Sequence, residues 1–236
     1  MTEFFDETFL TTLGRWQKGW REDQDLKDKY AGKLKRVCLD LPKNLRLPPP
    51  VCYRKRFLHP GEMADIFLRD AKDEGITSWT TDRAWAERFK DLLKEGATCA
   101  AIFRHAPHDG EVIINIPDLW KDAAFIRAAE KFRKADPCAA KPLWNFRDTQ
   151  SEIVLDTPLR GSEVIALVGI SSPFDDICDK ESIPHEQRDQ IFTELVESGN
   201  CPEYPEWIGG EEGVARVISN SIKRVEEVIA KAKLKS

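Results

Sequence analysis

Hydrophobic positions along this 236-residue chain change their period several times, and each change marks an element. Phe5, Phe9, Leu13 and Trp16 fall at i, i+4, i+8 and i+11, one stripe of a helix within mixed helical spacing up to about residue 36. Pro48-Pro49-Pro50 cannot continue a helix and favours an extended linker. A short strand is predicted directly after it, at Val51-Cys52-Tyr53-Arg54. Pro60 to about Glu74 reads as a helix ended by Gly75. Ile76 to Thr80 is strand-like and leads to Asp82, an N-cap for a helix from Arg83 through Lys94, with Gly96 as terminator. Cys99 to Phe103 and Glu111 to Ile116 are strand-like runs around a turn at Ala106 to Gly110, and Pro117 to about Lys134 has helical spacing. Residues 135–148 read as an irregular, aromatic-bearing loop. Glu152 to Leu155 and Glu163 to Ile170 are the most strand-like segments of the chain. Beyond Pro173, helices are expected at about 184–198 and 211–233, joined by the turn Gly199-Asn200-Cys201-Pro202. There is no internal repeat. The class is α+β: a helical extension over 1–48, a strand-bearing core over 49–171 and a helical C-terminal extension over 172–236.

Composition narrows the classes. Apolar residues make up 41 % and charged residues 33 %, ordinary for a globular chain and too apolar for a disordered one. The longest apolar run, Val164 to Val168, is far short of the roughly 18 residues that a membrane span needs, so no membrane partner is expected. Met1-Thr2-Glu3-Phe4-Phe5-Asp6 is acidic and lacks a basic, apolar leader, so no secretory signal is expected. Six cysteines (38, 52, 99, 138, 178, 201) stand apart without a CxxC pair, which reads as reduced thiols in the cytoplasm. The net charge of −5 conceals an asymmetry. Lys27 to Arg56 holds ten basic and two acidic residues, +8, whereas Ser172 to Gly213 holds twelve acidic and two basic, −10. Either these are solvated faces that pair with each other, or the basic stretch meets a polyanion and the acidic stretch a different partner.

Several catalytic signatures are missing: there is no Walker loop, Gly-x-Gly-x-x-Gly, Gly-x-Ser-x-Gly or His-Glu-x-x-His. His105, His108 and Asp109 sit around Pro107 without a spaced partner pair, so they read as a solvent-exposed turn, and no metal is expected. Three polar insertions into strand-like segments carry more. They are Tyr53-Arg54-Lys55-Arg56, Ile76-Thr77-Ser78-Trp79-Thr80-Thr81 and Thr149-Gln150-Ser151-Glu152-Ile153-Val154-Leu155. Strand side chains alternate faces, so Ser78 and Thr80 point one way and Trp79 the other, into a core. By the same period Gln150 and Glu152 share a face. Taken singly, each segment could be the polar face of an edge strand.

In this order the three resemble the Arg / Ser-x-Ser / Gln-x-Glu signature of the R-S-E class of mono-ADP-ribosyltransferases, over about residues 51–170. The flanks match too: Ala86 and Phe89 follow the Ser-x-Thr element, and the strand Glu163 to Ile170 follows Gln-x-Glu. Thr80 stands where the motif has its second serine, and Lys55 where a glycine is common after the arginine. The resemblance implies a split β-sandwich core and NAD as co-substrate. It implies Arg54 gripping the NAD phosphates, Ser78 supporting Glu152 and the nicotinamide-ribose side of the pocket, and Thr80 and Tyr53 as further lining groups. Glu152 is then the carboxylate that stabilises the oxocarbenium-like sugar, as in glycoside hydrolysis, and nicotinamide leaves neutral without needing a general acid.

In that family a glutamate two residues before the catalytic one usually accompanies arginine modification, and a glutamine accompanies acceptors such as asparagine or guanine. Gln150 therefore disfavours arginine, and Trp144, Phe146 and Arg147 occupy the position of the acceptor-recognition loop. An aromatic and an arginine there suit either an unpaired base or a protein surface. The +8 stretch tilts the expectation to a nucleic-acid acceptor, RNA or DNA, over a protein side chain. The class suggests a toxin acting inside the cell that makes it, as in toxin–antitoxin or phage-defence systems, with an inhibitor protein docking on the acidic tail. An inactive transferase-like binding module is the remaining alternative. Retention of Arg54, Ser78, Gln150 and Glu152 together argues against it.

Overall fold

The computed structural model describes residues 4–19, 23–59, 61–169, 178, 180–198 and 208–233. The first apolar stripe forms α1, Glu7–Lys18, started by the Asp6 carboxylate accepting from the Phe9 N–H at 2.8 Å. Phe9, Leu13 and Trp16 are each at most 2 % exposed, so the stripe is the buried face. A second helix, α2, Gln24–Val37, is capped by Asp23.

The chain divides into two compact units, each drawing on interleaved stretches: Met1–Arg54, Asp73–Ala86 and Arg104–Leu159 form one, and Lys55–Lys72, Glu87–Phe103 and Arg160–Ser236 the other. This division does not follow consecutive segments broken at 48/49 and 171/172. The N-terminal helices share one core with strands, because their apolar faces need a partner surface and a sheet face supplies it. Strand pairing is antiparallel, and the protein is of mixed α and β structure.

The first unit contains the start of β1 (Cys52–Leu58), then β2 (Ile76–Thr80), β4 (Val112–Asn115) and β5 (Glu152–Asp156), ordered β4-β5-β2-β1. The β2–β5 register pairs Ile76 with Asp156 through Thr80 with Glu152, and Tyr53 of β1 pairs with Thr80. Onto this sheet pack α1, α2, α4 (Ile116–Leu119), α5 (Ala123–Ala135) and α6 (Pro137–Asn145), burying Phe9, Leu13, Leu34, Ile114, Phe125, Leu143 and Val154 together. Gly14 lets α1 approach α6 closely: a Cβ there would lie 3.2 Å from the Ala139 carbonyl oxygen.

The second unit continues β1 from Lys55 and adds β3 (Cys99–His105, as far as Phe103), β6 (Val164–Val168) and β7 (Ile208–Gly209), ordered β1-β3-β6-β7. It also carries α7 (His185–Glu197) and α8 (Glu211–Lys233), whose Val214 and Val217 are buried. Among the described residues no helix is long and apolar enough to cross a membrane.

Five local expectations change. Residues 137–145 are helix α6, not loop: Asp136 caps it by accepting from the Ala139 N–H, Pro137 stands at N1, and Ala140 and Leu143 are buried. The helix expected from Arg83 to Lys94 is α3, Arg83–Arg88: Lys55 Nζ donates to the Glu87 carbonyl in its last turn and to the Asp91 carbonyl beyond it, and Lys90 turns to φ 59°. Helical spacing over 117–134 splits into α4 and α5, because Asp122 caps a new start by accepting from the Ala124 and Phe125 N–H groups. The helix expected over 60–74 is a π-helical turn, Ala64–Leu68, followed by Asp70 at φ 51°, whose carboxylate accepts from the Ser162 N–H and hydroxyl. His105 is no exposed turn residue: it ends β3 at 5 % exposure, its ring against Trp79 and its Nε2 3.0 Å from Glu111 Oε2. The expected turn at 199–202 lies outside the described residues.

Candidate active site

Glu152 opens β5, and its carboxylate, on a residue only 4 % exposed, accepts three hydrogen bonds from side chains. Ser78 Oγ donates to Oε1 at 2.5 Å, Trp16 Nε1 donates to the same oxygen at 3.2 Å, and Gln17 Nε2 donates to Oε2 at 3.2 Å. The register explains the first bond. Thr80 is directly opposite Glu152 and Ser78 opposite Val154, so Ser78 is the diagonal neighbour on the same sheet face. Trp79 points to the other face, 2 % exposed, with its indole N–H on Thr77 Oγ1 at 3.0 Å. A buried carboxylate without such donors would carry a large desolvation cost, and hydrogen bonds to a charged group are the stronger kind.

Arg54 braces this arrangement from β1. Its Nη1 donates to the Ser78 carbonyl at 2.6 Å and its Nη2 meets Glu74 Oε2 at 3.1 Å, with the two side chains 16 % and 6 % exposed. Lys27 of α2 adds a bond to the Glu74 carbonyl at 3.0 Å. The guanidinium is thus tied to the backbone of the residue that holds Glu152.

Thr80 acts on Gln150. Its hydroxyl donates to the Gln150 carbonyl at 2.6 Å and accepts from the Asp82 N–H at 3.0 Å, joining the end of β2 to the approach to β5. The strand alternation expected for Gln150 and Glu152 does not hold, because Ser151 lies in the left-handed region at φ 42° and β5 begins only at Glu152. Gln150 is brought to the cluster through its backbone and a turn. Tyr53 is half-buried opposite Thr80.

Trp144 and Arg147 form a separate group at the end of α6. The Arg147 guanidinium lies 4.9 Å from the Trp120 ring centre and 5.6 Å from that of Trp144, while Arg133 covers Trp144 at 4.3 Å. Trp144 Nε1 is buried without a hydrogen-bond partner, and Arg147 Nε forms an ion pair with Asp148 Oδ1 at 3.5 Å. Phe146, half-buried, caps the helix C-terminus. Among the described residues no hydrogen bond joins this group to Glu152.

A cavity of about 510 Å³ lies between α1 and α2, lined by Glu7, Thr8, Thr11, Thr12, Arg15, Lys33, Arg36 and Val37. Its lining does not include Ser78, Gln150 or Glu152, and it presents three cations against one carboxylate. Among the described residues no cluster of three or more His, Cys, Asp or Glu side chains is arranged to hold a metal ion.

Reading the residues alone did not find Trp16, Gln17 or Glu74. Trp16 carried a usable signal: a tryptophan on a buried stripe brings an indole N–H that needs an acceptor. Gln17 and Glu74 carried none, since their partners are remote in the chain.

No family model matches the chain, and neither a curated protein nor a solved structure matches it significantly.

Proposed function

We propose that the chain is a mono-ADP-ribosyltransferase with an ADP-ribosyltransferase-like core, which cleaves NAD and transfers ADP-ribose to a nucleic-acid base. The observation that carries the reading is the Ser78–Glu152 hydrogen bond across β2 and β5, braced by Arg54 on the Ser78 carbonyl. Three residues separated in sequence and singled out for one chemistry meet in one bonded chain, which a polar edge strand would not require.

In the reaction the bond between nicotinamide nitrogen and ribose C1′ breaks, and its electron pair leaves with neutral nicotinamide. Positive charge develops over C1′ and the ring oxygen, where a fixed carboxylate stabilises it more than it stabilises the ground state. Glu152 is that carboxylate, held by Ser78 and Trp16 so that its orientation is set beforehand. The acceptor nitrogen or oxygen then bonds to C1′ and releases one proton. Gln150, able to donate and to accept, orients an amide or a base edge. The cationic cavity between α1 and α2 supports a polyanionic acceptor, because phosphate contacts supply the sequence-independent part of nucleic-acid binding.

The test incubates the protein with NAD labelled in its adenylate half and cell lysate, then treats parallel samples with protease, RNase and DNase. Label that survives protease and is lost to a nuclease is the expected result; the reverse pattern makes a protein side chain the acceptor. Glu152→Gln should abolish transfer. No labelled fraction and no hydrolysis of NAD would refute the enzymatic reading.

A further inference from the structure

The basic stretch from Lys27 to Arg56 is used unevenly. Half of its cations serve the fold: Lys27 on the Glu74 carbonyl, Lys35 on Asp156, Arg54 on Ser78 and Glu74, Lys55 on the Glu87 and Asp91 carbonyls, and Arg56 on Glu62. Lys33 and Arg36 instead stand one turn apart on α2 and line the cavity of about 510 Å³, with Arg15 of α1 on the facing wall. Arg15 and Arg36 are exposed and Lys33 is half-buried, so these cations are open to a ligand. Among the described residues neither Arg15 nor Lys33 forms a hydrogen bond or ion pair, and Arg36 uses only Nε, on the Gly32 carbonyl of its own helix at 3.2 Å. Glu7, the one carboxylate of the lining, pairs with none of them. A cleft lined by one sign of charge concentrates ions of the other.

The α1 wall decides which anion fits. Thr8, Thr11, Thr12 and Arg15 fall at i, i+3, i+4 and i+7, so three hydroxyls and a guanidinium share one face. At about 1.5 Å per residue that face is about 10 Å long, and a stacked nucleic-acid strand carries one phosphate per about 3.4 Å of its axis. Hydroxyls, guanidinium and ammonium groups are the donors that phosphate oxygens take in nucleic-acid complexes. The described lining holds no aromatic ring on which a base could stack. We infer that this cavity receives the sugar-phosphate backbone of a single-stranded nucleic acid, Arg15, Lys33 and Arg36 neutralising about three phosphates while the bases stay outside. The inference rests on the nucleic-acid reading of the acceptor above and adds the place where the strand is held. That place is a face of α1, the helix whose Trp16 and Gln17 bond to Glu152, so a sequence-independent grip lies on the element that orients the carboxylate.

The test follows a dye-labelled single-stranded RNA of about 12 nucleotides by fluorescence anisotropy, without NAD, as KCl is raised from about 50 to about 200 mM. Wild-type binding should weaken at least about 20-fold, a slope of log K against log salt of about −2 or steeper for three phosphates on a single strand. Arg15→Gln, Lys33→Gln and Arg36→Gln should each make the slope shallower by about 0.7, and the triple variant by about 2. Lys43→Gln, which removes an exposed charge of the same basic stretch outside the cavity, should keep the wild-type slope. A wild type that does not bind the RNA, a triple variant with the wild-type slope, or a loss in Lys43→Gln equal to that of the cavity variants overturns the inference. So does ATP or polyglutamate binding as tightly as the RNA, since the cavity would then take a small phosphate compound or an acidic protein segment. NAD cleavage by the same wild-type protein, measured separately, decides the transferase reading whichever way the RNA titration falls. Unfolding midpoints accompany each variant, and the single substitutions carry the test if the triple variant misfolds.

Discussion

Ser78→Ala tests the centre of the site with the smallest change. The substitution removes one hydroxyl that donates to Glu152 Oε1 at 2.5 Å and leaves Trp16 and Gln17, both at 3.2 Å, as the remaining side-chain donors. A hydrogen bond to a charged group contributes about 1.5–3 kcal/mol. The same bond exists before and during the reaction, so losing it slows the chemistry only as far as Glu152 loses its orientation. If the whole contribution is expressed in the transition state, kcat/KM falls by about 10- to 150-fold at 1.4 kcal/mol per decade. The carboxylate, 4 % exposed, is also less well satisfied in the folded state, so the unfolding midpoint should drop by about 3–12 °C for a chain of this size. The assay is NAD cleavage under initial-rate conditions, paired with thermal unfolding of both proteins. Ser78→Thr keeps the hydroxyl and suits a strand, so it should restore most of the rate. A Ser78→Ala protein within threefold of wild type and with an unchanged midpoint would refute the reasoning. So would Ser78→Thr as impaired as alanine, since bulk rather than the hydrogen bond would then matter.

Two further outcomes follow from groups outside the site. Burial alone would push the Glu111 carboxyl up, but the His108 backbone N–H, the His105 ring and the Thr157 hydroxyl outweigh it and hold the carboxyl below its ordinary value. The stability this confers is present above the unfolded carboxyl pKa, about 4.3, and is lost as pH falls through the lower folded value. Glu111→Gln should therefore flatten the acid limb of a plot of unfolding midpoint against pH, and an identical limb would contradict the linkage. Burial pushes the Cys38, Cys52 and Cys99 thiols up to about 12, whereas Cys138 is exposed. At pH 8 a thiol reagent read by mass spectrometry should modify Cys138 in the native protein and the other three only in denaturant. Native labelling of those three at the rate of Cys138 would contradict their burial.

What could be read along the chain was whatever depends on near neighbours. The alternation at Ser78-Trp79-Thr80 separates a polar from a buried face because a strand has a period of two, and the structure has Trp79 buried and Ser78 on the face of Glu152. The stripe of α1 was legible for the same reason, as a period of 3.6. Local reasoning failed where a cap or a distant partner overrode it. Residues 135–148 read as an irregular loop, yet Asp136 and Pro137 start a helix that carries Pro142 within it. Gln150 was expected to share a strand face with Glu152, but the left-handed backbone at Ser151 breaks the alternation just before β5 begins at Glu152.

By itself the sequence determined the apolar stripe of α1 and the alternation on β2 that turns Ser78 to the face of Glu152 and Trp79 to the other. Only the tertiary structure decided which helix closes on Glu152. Trp16 and Gln17 reach Glu152 across 136 and 135 residues of chain, and Glu74 reaches Arg54 across 20. The reason is physical: periodicity specifies which face of a helix is apolar, but not the strand it meets or the height along that strand. Those depend on how the faces fit, as where Gly14 lets α1 approach the Ala139 carbonyl of α6, and this fit brings the end of α1 over the carboxylate.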